Sequence, residues 1–408
     1  MNIRIASILT LALIALAHCR SGAADTSWEP YFPADYDQAR ARFREAASTL
    51  AAGWPGAEQA RFHVPSARDS DLTVDSLYLP ALGQPKQLIV MLSGVHGMEG
   101  FAGSAAQLMF LREMGPQLDR RETGYLVVHA LNPFGFKHHR RSTENNVNLN
   151  RNFSTKPELY QTANAGYGVL KPALEPAGAV SGIARNSWAL ALEIGRKLIA
   201  GTFSMGQLNE AIGQGQYASP RGLEYGGAAA EPQVADFLAQ LAKVSRPYRD
   251  LILLDLHTGL GAAHQLHLMP GDAEGVFDRA LFARAFDIQA DADLYAFTPN
   301  DTAGFYRTHG DVNNVLAEIR QPGQRVIGLT LEFGTVGESA IAKLSTLNRL
   351  VLENQGFQAG YATEALRAEV DRLFSELFFP GQQSWRRNVI ARARGVFTRA
   401  LERLAHNA

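Results

Sequence analysis

Short apolar runs, each closed by a glycine-rich turn and followed by an amphipathic stretch, organise the middle of the chain. Leu88-Ile89-Val90-Met91-Leu92 is a continuous apolar run of the kind buried on both faces of a sheet, and a Gly-rich turn then leads into a helical pattern over Ala105–Met114. The same reading makes strands of Tyr125–Leu131, Leu251–Leu256 and Val326–Leu331, and helices of Gln233–Val244 and Ser339–Asn354. Upstream, Asp35–Ala52 carries Ala39, Phe43, Ala46 and Leu50 at helical spacing, and Val64–Leu79 alternates as one or two edge strands that stop at Pro80. Strands and helices that alternate along a chain predict a three-layer α/β/α fold around a mixed, mostly parallel sheet.

Two regions fall outside that alternation. Residues 154–232 are rich in Gly and Ala, with helices expected over Ser187–Leu198 and Met205–Ile212, and read as an insertion that borders a site or elaborates the surface. Residues 361–408 alternate charged and apolar positions and read as a helical pair packed on the domain; Pro380-Gly381 interrupts the continuity a membrane-surface helix needs. The N-terminus has Arg4, an apolar run from Ile5 to Ala17 and the small residues Ser21-Gly22-Ala23-Ala24, the order of a secretory signal and too short for a membrane span. The expected organisation is a signal peptide over 1–24, an extension over 25–80 packed on the core, a catalytic domain over 81–360 and a C-terminal helical segment over 361–408. Export to the periplasm or exterior follows. Acylation at Cys19 is the alternative, although His18 stands where a lipoprotein site has Gly or Ala.

Composition narrows the function. Lys and Arg number 39 against 40 Asp and Glu, for a net charge of −1. No run of like charge offers a nucleic acid an electrostatic footprint. With Cys19 the only cysteine, an internal disulfide and a cysteine-based zinc ribbon are both excluded. A Gly-x-Ser-x-Gly elbow is absent from the whole sequence, which argues against a serine hydrolase.

The chemistry-bearing residues stand at the ends of the predicted strands. His96 and Glu99 follow the first strand, in Ser93-Gly94-Val95-His96-Gly97-Met98-Glu99-Gly100, and His257 follows another, in Asp255-Leu256-His257-Thr258-Gly259. Hydrolytic zinc takes three His or carboxylate ligands and keeps a fourth position open, and open α/β sheets gather ligands beyond the carboxyl ends of their strands. His264 and His267 compete with His257 for the third place. Arg140, Arg141, Asn145, Asn146, Asn148, Asn150, Arg151 and Asn152 crowd one loop, where a guanidinium can hold a carboxylate or steady an oxyanion. Glu332 closes an otherwise apolar strand, and a carboxylate there is costly to bury unless it is used, which makes it a candidate general base.

With these motifs in this order over Leu88–Gly337, the chain resembles the zinc carboxypeptidases, peptidase family M14, and more closely the bacterial branch known as DUF2817. The resemblance implies a carboxypeptidase-type fold with insertions and one zinc per chain on His96, Glu99 and His257. It implies that Asn150 and Arg151 hold a substrate carboxylate, that Arg141 polarises the scissile carbonyl, that Glu332 takes the proton of the attacking water, and that Tyr306 is a substrate-binding tyrosine. One departure stands out: Asn148 occupies the place of the family's usual Asp, a partner of the first zinc-ligand His, so weaker support for that imidazole is expected. The expected substrate is a peptide or an N-acyl amino acid. The rival readings are a deacylase of the aspartoacylase or desuccinylase kind and an envelope protein that binds without turnover.

Overall fold

The computed structural model describes residues 28–201, 204–299, 308–337 and 339–406. The expected signal peptide over 1–24, Cys19 and Tyr306 therefore lie outside the described residues. One eight-stranded sheet runs through the molecule in the order β1-β2-β4-β3-β5-β8-β6-β7. Its strands are β1 (Glu58–His63), β2 (Thr73–Leu79), β3 (Gln87–Ser93), β4 (Thr123–His129), β5 (Asp250–Gly259), β6 (Leu266–Pro270), β7 (Ala296–Phe297) and β8 (Arg325–Gly334). The centre, β4-β3-β5-β8, is parallel; β1, β2 and β6 join antiparallel to their inner neighbours, so the sheet is mixed.

Period-two alternation decides which side chain faces which layer. Ile89, Met91, Ile252, Leu254, Ile327 and Leu329 point to one face, where they meet α1 (Tyr36–Ala52), α2 (Gly100–Met109) and a long C-terminal helix. Leu88, Val90, Leu251, Leu253 and Val326 point to the other, beneath Val234, Phe237 and Leu241 of a helix over Pro232–Val244. Both faces of the inner strands are thus covered, which accounts for their uninterrupted apolar sequence. In chain order the remaining helices used below are α3 (Ala165–Leu174), α4 (Ile183–Ile199), α5 (Met205–Gly213), α6 (Pro232–Val244), α7 (Ala340–Ala359), α8 (Glu364–Phe378) and α9 (Gln383–His406).

Several expected boundaries are sharpened. The α1 helix starts where Asp35 caps it, accepting the Gln38 amide at 2.7 Å, and α7 starts at the Ser339 cap. The stretch expected to hold edge strands supplies β2, whereas its hairpin partner β1 lies upstream over Glu58–His63. The C-terminal pair forms as α8 and α9 on either side of Pro380-Gly381, and Trp385 of α9 donates its indole N–H to the Gly334 carbonyl at the end of β8. The insertion packs α3, α4 and α5 around Tyr167, Leu170, Leu190, Ile194 and Leu208, a separate apolar cluster that also takes Leu347 and Val351 of α7. No helix among the described residues is long and apolar enough to cross a membrane.

Candidate metal centre

Three strand ends deliver the site. After β3 the chain turns through Gly94 and brings His96 and Glu99 onto a short helical turn. Gly97 in that turn admits no side chain: an added Cβ would stand 2.0 Å from the Gly135 carbonyl carbon. Contact with the loop after β4 is that close because the Gly97 and Met98 amides donate to the Arg141 and Arg140 carbonyls, at 3.1 and 2.8 Å. His257 and Glu332 are register partners on the adjacent parallel strands β5 and β8.

His96, Glu99 and His257 are buried, and one candidate donor atom from each lies within 4.8 Å of the others. Glu99 sits between the two imidazoles, with Oε1 2.8 Å from His96 Nδ1 and Oε2 2.8 Å from His257 Nδ1. Each ring is fixed from behind. His96 Nε2 meets Asn148 Oδ1 at 3.0 Å, and His257 Nε2 meets the Asp255 carboxylate at 2.5 Å. Both partners accept through these atoms, so with a metal bound each Nε2 would carry the proton and each Nδ1 would turn a lone pair inward. Two inward imidazole lone pairs and a carboxylate, buried and preoriented, are a donor set that fits a divalent metal ion with a position to spare.

Charge at the centre follows from burial and neighbours. Burial, and then the Arg141 guanidinium, pushes His96 down to about 4, so it is neutral near pH 7. For His257 burial acts in the same direction, but the Asp255 and Glu99 carboxylates outweigh it and raise the ring well above its ordinary value. Glu99 is held below the carboxylate range because the two imidazoles overcome its burial. Glu332 goes the other way: burial first, and the Glu99 carboxylate second, hold it well above that range. Its Oε1 accepts the Leu260 amide at 2.8 Å.

The Arg- and Asn-rich loop reaches the same place. Arg141, Asn150 and Arg151 line a polar cavity of about 100 Å³ that also touches His96, His257 and Glu332. Arg151 is buried, its Nη1 donates to the Asn150 carbonyl at 2.6 Å, and its Nε has no hydrogen-bond partner among the described residues. Arg140 is turned away, bonded to Glu353 at 2.6 Å and stacked on the Phe357 ring. His267 faces Thr298 at 2.9 Å, and neither it nor His264 belongs to the metal-competent cluster. The structure thus brings together His96, Glu99, His257, Glu332, Arg141, Asn150 and Arg151.

Two functional neighbours escaped the sequence reading. Asp255 was legible in principle, since residues two apart on a strand share a face. Glu224 was not. It comes from the insertion at φ +55°, a conformation uncommon outside glycine, and it is buried against both arginines. Oε1 pairs with Arg141, while Oε2 is 3.4 Å from Arg151 Nη2 and accepts from Asn148 Nδ2 at 2.6 Å. The two guanidinium ions overcome burial and keep this carboxyl below its ordinary range. Asn148 is therefore a neutral relay, His96 to Asn148 to Glu224, and the nearest negative charge along this chain stands one residue behind it.

Residues 32–392 match the model of the family described as "Protein of unknown function (DUF2817)". The chain belongs to the DUF2817 family. Among solved structures it is similar to carboxypeptidase A from Helicoverpa armigera, at 14% identity and TM-score 0.45 over 92% of this chain and 81% of that one. It is similar also to a metallo-carboxypeptidase from Pseudomonas aeruginosa, at 16% identity and TM-score 0.39 over 83% and 71%. A succinylglutamate desuccinylase from Silicibacter follows at 14% and 0.36 over 74% and 67%. A search of curated proteins found no match.

Proposed function

We propose that this DUF2817 protein is a zinc-dependent hydrolase of the carboxypeptidase kind, exported by its N-terminal signal, that cleaves an amide bond next to a free carboxylate. The observation that carries the reading is the inward-facing His96, Glu99 and His257 set beside Glu332. A bound zinc ion would supply Lewis acidity at this point, for both the attacking water and the scissile carbonyl.

The chain's own residues do the rest. Arg151, whose buried Nε has no partner among the described residues, and Asn150 receive the substrate carboxylate in the small polar cavity. Arg141 lines the cavity wall beside Glu332 and is the donor to the carbonyl oxygen as it gains charge. Glu332 is held at Oε1 by the Leu260 amide, which leaves Oε2 to take the proton from water and pass it to the leaving nitrogen.

The test is metal content before activity. Purified protein from about Asp25 onward should hold one zinc, and His96→Ala should lose it. Glu332→Gln should keep the zinc and lose turnover on peptides and N-acyl amino acids. Zinc absent from the parent protein even with excess metal at neutral pH would overturn the reading in favour of a binding protein. A Glu332→Gln variant as fast as the parent would overturn the assignment of the base.

A further inference from the structure

A second cavity, about 420 Å³, adjoins the same centre. It shares His96, Arg141, His257, Leu260 and Glu332 with the polar cavity and then runs between the insertion and α7. There its walls are aliphatic, with Ile194, Leu198, Leu208, Ile212, Leu347 and Leu350 among them, and beyond the metal end its polar side chains are Lys343 and Thr346. We propose that this chamber holds a long aliphatic acyl chain, so that the substrate is an N-acyl amino acid of the fatty-amide class rather than a peptide. This rests on the hydrolase reading above for the bond that is cut.

Three observations point the same way. The volume falls in the range of about 300–1,000 Å³ that takes a drug-sized ligand, whereas the polar cavity has room only for a small amino acid. Arg151 and Asn150 line the polar cavity and not the larger one, so a carboxylate held by them puts the amine half there and leaves the larger cavity to the acyl half. A peptide in the aliphatic chamber would bury an N–H and a C=O at every residue with almost no side chains to bond them, at a cost of roughly 1–3 kcal/mol each. A methylene chain carries no such groups.

The mouth continues the pattern. Leu260 and Leu344 line the chamber and are 42% and 38% exposed. Along α4, Trp188, Leu192 and Ile199 fall on the same helical stripe as the chamber-lining Gly195, and they are 77%, 62% and 90% exposed. A chain longer than the chamber would still meet apolar surface. In the reaction, water adds across the amide: its oxygen goes to the acyl carbon, a proton goes to the leaving nitrogen, and the products are a fatty acid and an amino acid.

The experiment has two arms. N-acetyl-, N-octanoyl- and N-dodecanoyl-alanine are given to the zinc-loaded protein. Separately, dodecanoate binding is measured by calorimetry with and without zinc, which requires no turnover. Each methylene removed from water adds about fourfold in affinity, so kcat/KM should rise at least a hundredfold from acetyl to octanoyl. Gly195→Phe fills the chamber, since among the described residues no neighbour outside its own helix turn lies within 4 Å of a Cβ added there, and it should weaken dodecanoate at least tenfold. Ala191→Phe on the same wall is the second filling variant should the first not fold. Dodecanoate that fails to bind, or that ignores both fillings, overturns the proposal, as does a flat chain-length series. Dodecanoate bound and weakened by filling, with none of the amides hydrolysed, keeps the chamber assignment and brings down the hydrolase reading instead.

Discussion

The His96–Asn148–Glu224 relay makes Asn148→Asp a destabilising change. The substitution swaps the Asn148 amide for a second carboxylate oxygen 2.6 Å from Glu224 Oε2, with both side chains buried. Two like charges at that separation repel by about 6 kcal/mol at an effective dielectric of about 20. Protonating one carboxyl at pH 7 caps the penalty, because about 1.4 kcal/mol for each unit between an ordinary Glu near 4.3 and pH 7 comes to about 4 kcal/mol. A loss of about 3–4 kcal/mol is expected. Over 408 residues the unfolding entropy is about 0.9 kcal/mol/K, so Tm should fall by about 4 °C in metal-free protein. Metal binding should move the other way, since a carboxylate on His96 Nε2 raises the basicity of Nδ1. Adding Glu224→Gln restores a donor opposite the new carboxylate and should recover most of the lost Tm in a double-mutant cycle. A single variant that melts within about 1 °C of the parent, with no coupling to position 224, would refute the relay.

Asp255→Asn should leave the fold in place and weaken zinc about 10–100-fold, read by competition with a chromophoric chelator, because His257 loses the carboxylate that orients it. Gly97→Ala should cost about 1–3 kcal/mol or more in urea unfolding and lower zinc occupancy, since the added Cβ forces apart the His96 turn and the Gly135 backbone. Asp250, buried at the start of β5, pairs with Arg284 and with both Nε and Nη2 of Arg325, and these ion pairs hold its pKa below the ordinary value. A carboxyl depressed in the folded state contributes stability that is complete above the unfolded pKa near 3.9 and is lost as pH falls through the folded value. Asp250→Asn should therefore lower Tm at pH 7 and make Tm less sensitive to pH below about 4; an unchanged acid slope would refute this.

What was legible in the sequence is what local pattern encodes. The inner strands are buried on both faces and read as apolar runs, and three of them, β3, β5 and β8, lead at their carboxyl ends into a His or Glu that is out of keeping with the run before it. That contrast marks His96, His257 and Glu332 without any three-dimensional information. The edge strand β1, Glu-Gln-Ala-Arg-Phe-His, has no buried position, so no hydrophobic alternation announces it; its place is set by pairing with β2. Glu224 is hidden for a different reason. It lies outside any helix or strand, between Leu223 and Tyr225 in a Gly- and Ala-rich stretch, and its partners are 76 and 83 residues away in sequence. Only the folded chain brings them together.

That hidden contact changes the status of the insertion. Arg141 and Arg151 belong to one loop and both line the cavity at the metal centre, and without an anion between them the half-buried and the buried guanidinium ion would repel each other and lower the proton affinity of the imidazoles they face. Glu224 supplies that anion, and the same segment returns its backbone to the loop, where the Asn148 amide donates to the Tyr225 carbonyl at 2.7 Å. The insertion also builds one wall of the aliphatic chamber through α4 and α5. One segment thus neutralises the arginines on the polar side and shapes the apolar side. A decorative surface loop would do neither, and changes within residues 154–232 should reach the metal centre as directly as changes in the strands that carry it.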